Sequence, residues 1–177
     1  LLGMSGSNME ASKIALENNY VEINQFTSIY NQEAHFDTIK EIINDLPDVD
    51  YIVCGIGSAG TISGISKYIK EHNLNIKVIG VEPLESAVIT KGVVGKHDIQ
   101  GIGAGFIPPL LDLKNVDKIE CVKSIDALVE FKKTKGLPLG ISSCACFLVG
   151  KELLKAEPDK KILIMVADSI DRYGGVK

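Results

Sequence analysis

The sequence predicts an α/β protein with a mostly parallel β-sheet flanked by helices. Residues 51–54 (Tyr-Ile-Val-Cys) are apolar without polar alternation, which is typical of a strand covered on both faces. A glycine-rich loop and a helical pattern over Thr61–His72 follow it, with Ile62, Ile65 and Ile69 on one face. A second apolar strand over Lys77–Val81 completes a strand–helix–strand unit, which joins parallel neighbours.

Three elements are predicted before this unit from periodicity and from breaker residues. We expect a helix over Glu10–Asn18, with Ala11, Ile14 and Ala15 on its inner face. The alternating segment Tyr20–Phe26 suits a strand. A second helix over Ala34–Leu46 ends at Pro47 and turns four apolar side chains inward: Phe36, Ile39, Ile42 and Ile43.

One irregular segment and four elements are predicted after the unit. Ser86–Pro109 is glycine-rich and irregular, and Lys118–Val122 suits a strand. Ser124 is expected to cap a helix that runs to about Lys135 and ends at Gly136. The last two elements are a helix over Cys144–Ala156 and a buried strand over Lys161–Ala167.

Composition excludes several classes of protein. The chain has 177 residues, with 19 Lys plus Arg against 23 Asp plus Glu, and this acidic balance argues against a nucleic-acid partner. No apolar run approaches the roughly 18–20 residues that span a bilayer. Residues 1–4 lack the features of a signal peptide, and because Met4 is internal we expect the chain to be a fragment. The cysteine usage leads us to expect a cytoplasmic protein. The four cysteines lack zinc-binding spacing and are expected to be reduced, with no metal bound.

The glycine loop over residues 55–60 matches G-x-G-x-x-G between a strand and a helix. Glu82 ends the next strand, as does the acidic residue that contacts ribose in dinucleotide-binding proteins. Backbone N–H groups at the helix start, with the hydroxyls of Ser58 and Thr61, equally suit a smaller phosphorylated cofactor. A tight turn without a ligand is the third interpretation.

Other segments separate these alternatives. Residues 57–61 (Gly-Ser-Ala-Gly-Thr) resemble the G-T-G-G-T phosphate loop of the cysteine synthases, or O-acetylserine sulfhydrylases. Residues 100–108 match that family's Q-G-I-G-A-G-F-I-P segment at every position, and residues 140–143 match its G-I-S-S turn. Three short blocks are also similar, in the same order: Gln25-Phe26, Val81-Glu82-Pro83 and Asp171-Arg172-Tyr173.

The resemblance implies a fold-type II pyridoxal-phosphate enzyme of the tryptophan synthase β-like fold. Residues 1–26 would form the edge of a smaller N-terminal domain, and residues 27–177 the larger cofactor-binding domain. The cofactor is pyridoxal 5'-phosphate, and Ser142 is implied to meet its ring nitrogen. The loop implied to hold its phosphate consists of Gly57, Ser58, Ala59, Gly60 and Thr61.

The same resemblance implies a substrate site. Gln25 would bind the substrate carboxylate, and the residues lining the substrate cleft would be Gly101, Ile102, Gly103 and Ala104. Ala59 departs from the family's glycine, so its Cβ is expected to narrow the backbone angles and crowd the phosphate. The implied partners are an amino-acid substrate, sulfide, a second copy of the chain in a homodimer, and the C-terminal tail of serine acetyltransferase.

Structural alternatives accompany these roles. Ser142 is otherwise a helix cap, Ser143 is expected to be the cap, and Gln25 is otherwise a surface residue. Asp168 and Ser169 either lie behind the ligand or form a simple turn. The remaining cysteines and histidines are interpreted as packed thiols (Cys144, Cys146), a structural histidine (His97) and solvated histidines (His35, His72).

Two of the family's motifs are not found in these 177 residues. They are the N-P-x-x-S-V-K-D-R-like motif, with the lysine that forms a Schiff base with the cofactor, and the T-S-G-N-T-G-like loop. None of the 18 lysines stands in such a context, so the sequence assigns no catalytic residue. The chain resembles the C-terminal portion of a cysteine synthase and is expected to be inactive alone.

The function implied for the whole protein is β-replacement, in which O-acetyl-L-serine and sulfide give L-cysteine and acetate. A cystathionine β-synthase or a cysteine desulfhydrase-type lyase is the alternative within the class. A non-catalytic module that binds a serine acetyltransferase tail is the alternative outside it. A dinucleotide oxidoreductase leaves the match at residues 100–108 unexplained.

Overall fold

A computed structural model describes residues 3–134, 137 and 139–169. The sheet in this part of the chain has four parallel strands in the order β3–β2–β1–β4. The strands are β1 (Tyr51–Gly55), β2 (Lys77–Pro83), β3 (Lys118–Val122) and β4 (Ile162–Ile164). The α-helices are α1 (Gly3–Asn18), α2 (Ile29–Asp45), α3 (Gly60–Glu71), α4 (Val88–Lys91), α5 (Ser124–Lys133) and α6 (Ile141–Ala156).

Each face of the sheet is buried against a different pair of helices. Tyr51 and Val53 of β1 point into a core formed with α5 and α6. Ile52 and Cys54 point into a second core formed with α2 and α3. Burial on both faces explains why the strand shows no polar alternation in the sequence.

Helix α3 lies close to α2 because glycine stands where the two helices approach. An added Cβ at Gly64 would overlap the carbonyl oxygen of Gln32 and would lie 2.7 Å from His35 Cβ. The buried side of α3 consists of small residues and of Ile62, Ile65 and Ile69. This packing places the start of α3 beside the first half of α2.

Most of the predicted elements are confirmed. The strand–helix–strand unit occurs as β1, α3 and β2, and its strands pair in parallel. The strand over 118–122 has the predicted bounds, and the inward face of α2 is correct: Ile39 is fully buried, while Ile42 and Ile43 pack against the same core. The final strand is shorter than predicted, covering Ile162–Ile164, and it is half-buried where a buried strand was predicted.

The strand predicted over Tyr20–Phe26 is wrong. Residues 21–24 have no regular structure, residues 25–27 form a turn, and Val21 and Ile23 are 91% and 90% exposed. Alternation creates a strand only where a neighbouring strand accepts its hydrogen bonds, and no described strand lies beside this segment. The inner face predicted for the first helix is also wrong, because α1 has no buried residue.

Five helix starts differ from the prediction, since α1 begins at Gly3 and not at Glu10, and α3 begins one residue early at Gly60. Helix α2 begins at Ile29 and α6 at Ile141, each ahead of the predicted residue. Lys123, not Ser124, is the N-cap residue of α5, and Ser124 Oγ instead accepts the N–H of Asp98 at 3.0 Å. The predicted end of α5 at Lys135 and Gly136 lies outside the described residues, as does the block Asp171-Arg172-Tyr173.

The contact between α2 and α3 gives a stability prediction. Helix propensity alone would make Gly64→Ala stabilising by about 1 kcal/mol. The overlap with the Gln32 carbonyl should reverse this sign and lower the free energy of unfolding by about 1–2 kcal/mol. Urea denaturation followed by circular dichroism measures the change.

Gly150→Ala in α6 is the matched control. An added Cβ there would lie 2.7 Å from Ile164 Cδ1, the end of a flexible side chain that can move aside. We expect a change of less than about 1 kcal/mol. A Gly64→Ala protein that is more stable than the wild type would contradict this account of the packing.

Candidate functional site

The loop between β1 and α3 forms one wall of a cavity of about 500 Å³. It lies at the carboxyl ends of parallel strands, where α/β sheets bind ligands. The loop residues along this wall are Gly57, Ser58, Ala59, Gly60 and Thr61. Ser142, Cys146 and Asp168 line the same cavity from the side of α6 and β4. The structure thus brings together the residues that the sequence assigned to a phosphate and to a cofactor ring.

Ala59 adopts a left-handed conformation, with φ +69° and ψ 4°. It is the N-cap residue of α3, and its carbonyl accepts the Ser63 N–H at 3.0 Å. This conformation costs an L-residue about 1–2 kcal/mol, a cost that glycine does not bear. The alanine noted in the sequence therefore carries backbone strain at the start of α3.

Two side chains of α2 contact the hydroxyl residues of the loop. Asn31 Nδ2 donates to Ser58 Oγ at 3.0 Å and to the Gln25 carbonyl oxygen at 2.7 Å. His35 Nε2 lies 3.0 Å from Thr61 Oγ1. The prediction that His35 is solvated is wrong: it is half-buried, and burial lowers its pKa. His72 is exposed, as predicted.

Asn31 and His35 were not identified as site residues from the sequence. The predicted start of α2 at Ala34 left Asn31 outside the helix, so the four-residue spacing that puts both side chains on one face was not recognised. The N-x-x-x-H spacing before the glycine loop was the available signal.

The glycine block over residues 100–105 forms part of a second, adjoining cavity of about 960 Å³. Gly103 has φ +70°, and an added Cβ would lie 2.6 Å from Pro83 Cγ and 2.8 Å from His97 Nε2. Its N–H donates to the Ile56 carbonyl at 2.9 Å, which attaches the block to the end of β1. Only glycine fits this position, so the packing of the block requires glycine here whether or not a ligand binds.

The residues predicted to line a substrate cleft all border this second cavity: Gln25, Gly101, Ile102, Gly103 and Ala104. Gly57, Ser58, Gly101 and Ile102 border both cavities, so the two spaces share a wall. The Gln25 side chain is exposed. His97 Nε2 donates to the Gly103 carbonyl at 2.9 Å, which supports the structural interpretation of His97.

Ser142 and Ser143 lie inside α6, not at its cap. The N-cap residue is Gly140, so the prediction that Ser143 caps the helix is wrong. The hydroxyls of Ser142 and Ser143 donate to Asp168 Oδ1 at 3.5 and 3.3 Å. Ser142 also borders the cavity, so its hydroxyl is placed where a bound ligand could meet it.

Glu82 does not serve the role that a dinucleotide site would require. It is 2% exposed, and its carboxylate accepts the N–H groups of Ile89 and Thr90 at 3.0 Å and the Thr90 hydroxyl at 2.6 Å. Its oxygens therefore bind α4, and Glu82 is not among the residues that line the cavity beside the loop. This geometry removes the observation that favoured a dinucleotide.

The cysteines of α6 are buried, as predicted for packed thiols. Burial raises the pKa of Cys146 to about 12 and also raises the pKa of Cys144. Cys54, at the end of β1, is buried as well, and burial raises its pKa above the usual thiol range. A thiol with a raised pKa stays protonated and unreactive at neutral pH.

The described residues contain neither a metal-binding cluster nor a membrane-spanning helix. In the part of the chain that the structure covers, no cluster of three or more His, Cys, Asp or Glu side chains is arranged to bind a metal ion. No helix among the same residues is long and apolar enough to cross a membrane.

Comparison with known proteins identifies the class. Residues 3–168 match the family of pyridoxal-phosphate dependent enzymes, and the chain belongs to that family. Cysteine synthase B of Campylobacter jejuni is 41% identical over 177 residues, which cover 97% of this chain and 59% of the relative. The chain thus spans less than two thirds of the relative's length.

Two solved structures of differently named enzymes share the fold of this chain. The cysteine synthase of Entamoeba histolytica is 38% identical with a TM-score of 0.91, covering 98% of this chain and 54% of that one. An O-acetylserine dependent cystathionine β-synthase of Helicobacter pylori is 32% identical with a TM-score of 0.85, covering 96% of this chain and 57% of that one. These likenesses confirm the predicted fold type and family.

The cavity fits the phosphate and ring of the family's cofactor. Hydroxyl groups and the N-terminal N–H groups of α3 suit an anion. An added Cβ at Gly57 would lie 2.6 Å from the Gly101 carbonyl oxygen, so the space beside the loop depends on glycine. The residues present therefore match a pyridoxal-phosphate site.

Strain at Ala59 gives the first prediction for the site. Ala59→Gly should raise the free energy of unfolding by about 0.5–1 kcal/mol, because the relief of strain exceeds the entropy cost of glycine. Ala34→Gly in α2 is the matched control and should lower it by about 1 kcal/mol. Urea denaturation measures both changes. An equal decrease in the free energy of unfolding in Ala59→Gly and Ala34→Gly would contradict the strain at Ala59.

Burial of the thiols gives the second prediction for the site. In the native chain at pH 8, iodoacetamide should modify Cys121, which is only partly buried, before Cys54 and Cys146. Raised pKa values and burial both protect the latter two. Peptide mass spectrometry measures the order, and the same reaction in urea is the control. Rapid native modification of Cys146 would contradict the packed-thiol interpretation.

Proposed function

We propose that this chain forms the cofactor-holding part of a cysteine synthase, which converts O-acetyl-L-serine and sulfide into L-cysteine and acetate. One observation carries the proposal. The phosphate loop, Ser142 and the glycine block border two adjoining cavities at the carboxyl end of β1. The cysteine synthase relatives support the reaction class.

The phosphate end of the cofactor is assigned to the loop. Ser58 and Thr61 supply hydroxyl donors, and the N-terminus of α3 supplies backbone N–H groups and the positive end of the helix dipole. No carboxylate belongs to the loop of residues 57–61. Binding there needs no titrating group in direct contact with the phosphate.

The ring end is assigned to Ser142. When bound, pyridoxal phosphate supplies a ring that withdraws electrons from the substrate's α-carbon. Ser142 presents a neutral hydroxyl to the ring nitrogen, which does not enforce ring protonation as a carboxylate would. That choice suits β-elimination and replacement more than transamination.

The substrate end is assigned to the second cavity, where Gln25 and residues 101–104 are proposed to bind the amino-acid substrate. The Phe26 and Phe106 rings pack with centroids 5.0 Å apart and join the Gln25 turn to the glycine block. Gln25 thereby has a fixed backbone position beside the cleft, although its side chain is exposed.

The lysine that binds the cofactor is proposed to come from a part of the protein outside these residues. Residues 1–26 are proposed to belong to a smaller domain and residues 27–177 to the larger one. Support comes from α1, which has no buried residue, and from the exposed Val21 and Ile23. Apolar side chains at this exposure fit a segment that packs elsewhere in the whole protein.

Three further properties are proposed from the resemblance: a cytoplasmic location, a homodimer, and binding of a serine acetyltransferase C-terminal tail at the second cavity. The described cysteines are unpaired, which fits a reducing compartment. Light scattering measures the mass of the assembly, and a tail peptide that competes with O-acetyl-L-serine tests the third property.

The proposal predicts binding without turnover. The chain should bind pyridoxine 5'-phosphate, which lacks an aldehyde and cannot attach to surface lysines, and should bind pyridoxine far more weakly. Thr61→Val should weaken binding by about tenfold, because a hydrogen bond to a charged group is lost. Isothermal titration calorimetry measures both. No cysteine should form from O-acetyl-L-serine and sulfide.

Thr134→Val is the control, because its hydroxyl bonds the α5 backbone and lies outside both cavities. Equal affinity for pyridoxine and its phosphate would contradict the phosphate site. Steady cysteine formation by the 177-residue chain would contradict the external lysine.

Cystathionine β-synthase activity is the second candidate, favoured by the likeness to the H. pylori enzyme. The two functions share the cofactor site and differ in the nucleophile that is accepted. A chimaera that joins this chain to the part of the C. jejuni relative that it does not cover allows a product assay. Cysteine from sulfide supports the first function, and cystathionine from homocysteine supports the second.

A further inference from the structure

The first two turns of α2 contact the phosphate loop through two side chains, one helical turn apart. Asn31 contacts Ser58, and His35 contacts Thr61. Both loop residues border the cavity, so each contact involves a hydroxyl that a bound phosphate would meet. Each of the two side chains lies beside a glycine of α3 that permits its close approach. An added Cβ at Gly60 would overlap the Asn31 amide, and an added Cβ at Gly64 would lie 2.7 Å from His35 Cβ.

The direction of the Asn31 contacts is fixed by chemistry. The Gln25 carbonyl can only accept a hydrogen bond, so the amide nitrogen of Asn31 must face it, at 2.7 Å. The same nitrogen lies 3.0 Å from Ser58 Oγ and donates its second hydrogen there. Ser58 is the acceptor in this contact, and its own proton remains available for the cavity.

The direction of the His35 contacts depends on the ligand. Nε2 lies 3.0 Å from Thr61 Oγ1, and Nδ1 lies 3.1 Å from Thr38 Oγ1. If Thr61 donates to Nε2, its lone pairs face the cavity and repel an anion. If Nε2 donates to Thr61, the Thr61 proton points into the cavity, and Thr38 donates to Nδ1.

We propose that Asn31 and His35 are positioning residues that orient the hydroxyl protons of Ser58 and Thr61 toward a phosphate monoester. The inference rests on the proposed phosphate site and deepens it. Asn31 does not line the cavity, whereas His35 lines it beside Thr61. In the contacts described, each residue acts through the hydroxyl that it holds as an acceptor.

The inference links phosphate binding to the proton on His35. The side chains that contact His35 are neutral: Thr38 of its own helix and Thr61 of α3, the helix packed against it. Burial is the cause that lowers the His35 pKa. A doubly charged phosphate beyond Thr61 favours imidazolium, which donates to both threonines, so binding should raise this pKa.

The first measurement is therefore the titration of His35 by NMR, with and without pyridoxine 5'-phosphate. We expect its pKa to rise by about one pH unit or more on binding. A direct titration is needed because the phosphate monoester itself changes charge near pH 6, which would distort a profile of affinity against pH. An unchanged His35 pKa in the saturated protein would overturn the link.

The second measurement is the affinity of variants for pyridoxine 5'-phosphate at pH 7.5. Asn31→Asp cannot donate to Ser58, and His35→Leu cannot donate to Thr61, so each should bind about tenfold more weakly. His35→Gln keeps a donor at the position of Nε2 and should bind within about threefold of wild type. That rescue distinguishes orientation from packing.

Matched controls come from the same helix pair. Asn44→Asp adds the same charge at the exposed far end of α2, and His72→Gln makes the same change at the exposed end of α3. Both should bind like wild type. Thermal unfolding verifies that each variant is folded.

The outcomes separate the two proposals. Wild-type affinity in Asn31→Asp and His35→Leu would overturn the positioning role and leave the phosphate site intact. His35→Gln as weak as His35→Leu would also overturn it. A wild-type chain that binds no pyridoxine 5'-phosphate would contradict the phosphate site itself, and the inference with it.

Discussion

The backbone of Ile56 is the constraint on which the site depends. Its N–H donates to the Val81 carbonyl of β2, and its carbonyl accepts the Gly103 N–H, each at 2.9 Å. One residue therefore fixes the end of β1, the start of the phosphate loop and the glycine block. Because its side chain is buried among β2 and α3, the loop cannot shift without disturbing the core.

Local signals were sufficient where local chemistry decides the structure. The apolar strands and the glycine loop predicted β1, α3 and β2, because a strand buried on both faces and a helix amphipathic on one leave direct patterns in the sequence. The segment Tyr20–Phe26 alternates as clearly, yet it forms no strand in the described fold, because pairing requires a partner that alternation does not encode. Helix α2 likewise begins earlier than its predicted pattern, since the polar run Asn31-Gln32-Glu33 separates Ile29 and Tyr30 from the apolar face that starts at Phe36.

Some residues of the candidate site were likewise identified from the sequence, and others were not. The loop over residues 57–61 was singled out because glycine and hydroxyl residues between a strand and a helix have a recognisable spacing, whereas Ser142 and residues 101–104 were assigned through the family resemblance. Asn31 and His35 were missed because their partners lie 27 and 26 residues away, across a helix contact that the sequence does not show. Glu82 misled the interpretation because its partners are the N–H groups of α4, seven and eight residues onward. A motif gives the position of a carboxylate but not the direction in which it points.

The arrangement separates holding a ligand from reacting with it. The groups proposed to touch the cofactor are hydroxyls, backbone N–H groups and glycine backbones, none of which changes charge near neutral pH. The cysteines at the cavity wall stay protonated because burial disfavours thiolate. His35 is the group in contact with the loop that can change charge there, and it does so through Thr61. A surface built in this way provides affinity and orientation, whereas proton transfer from the substrate requires a base from elsewhere. The absence of the family's lysine motif from these residues is therefore consistent with their geometry: the described cavity is suited to hold the cofactor, and the reacting lysine is proposed to come from another segment.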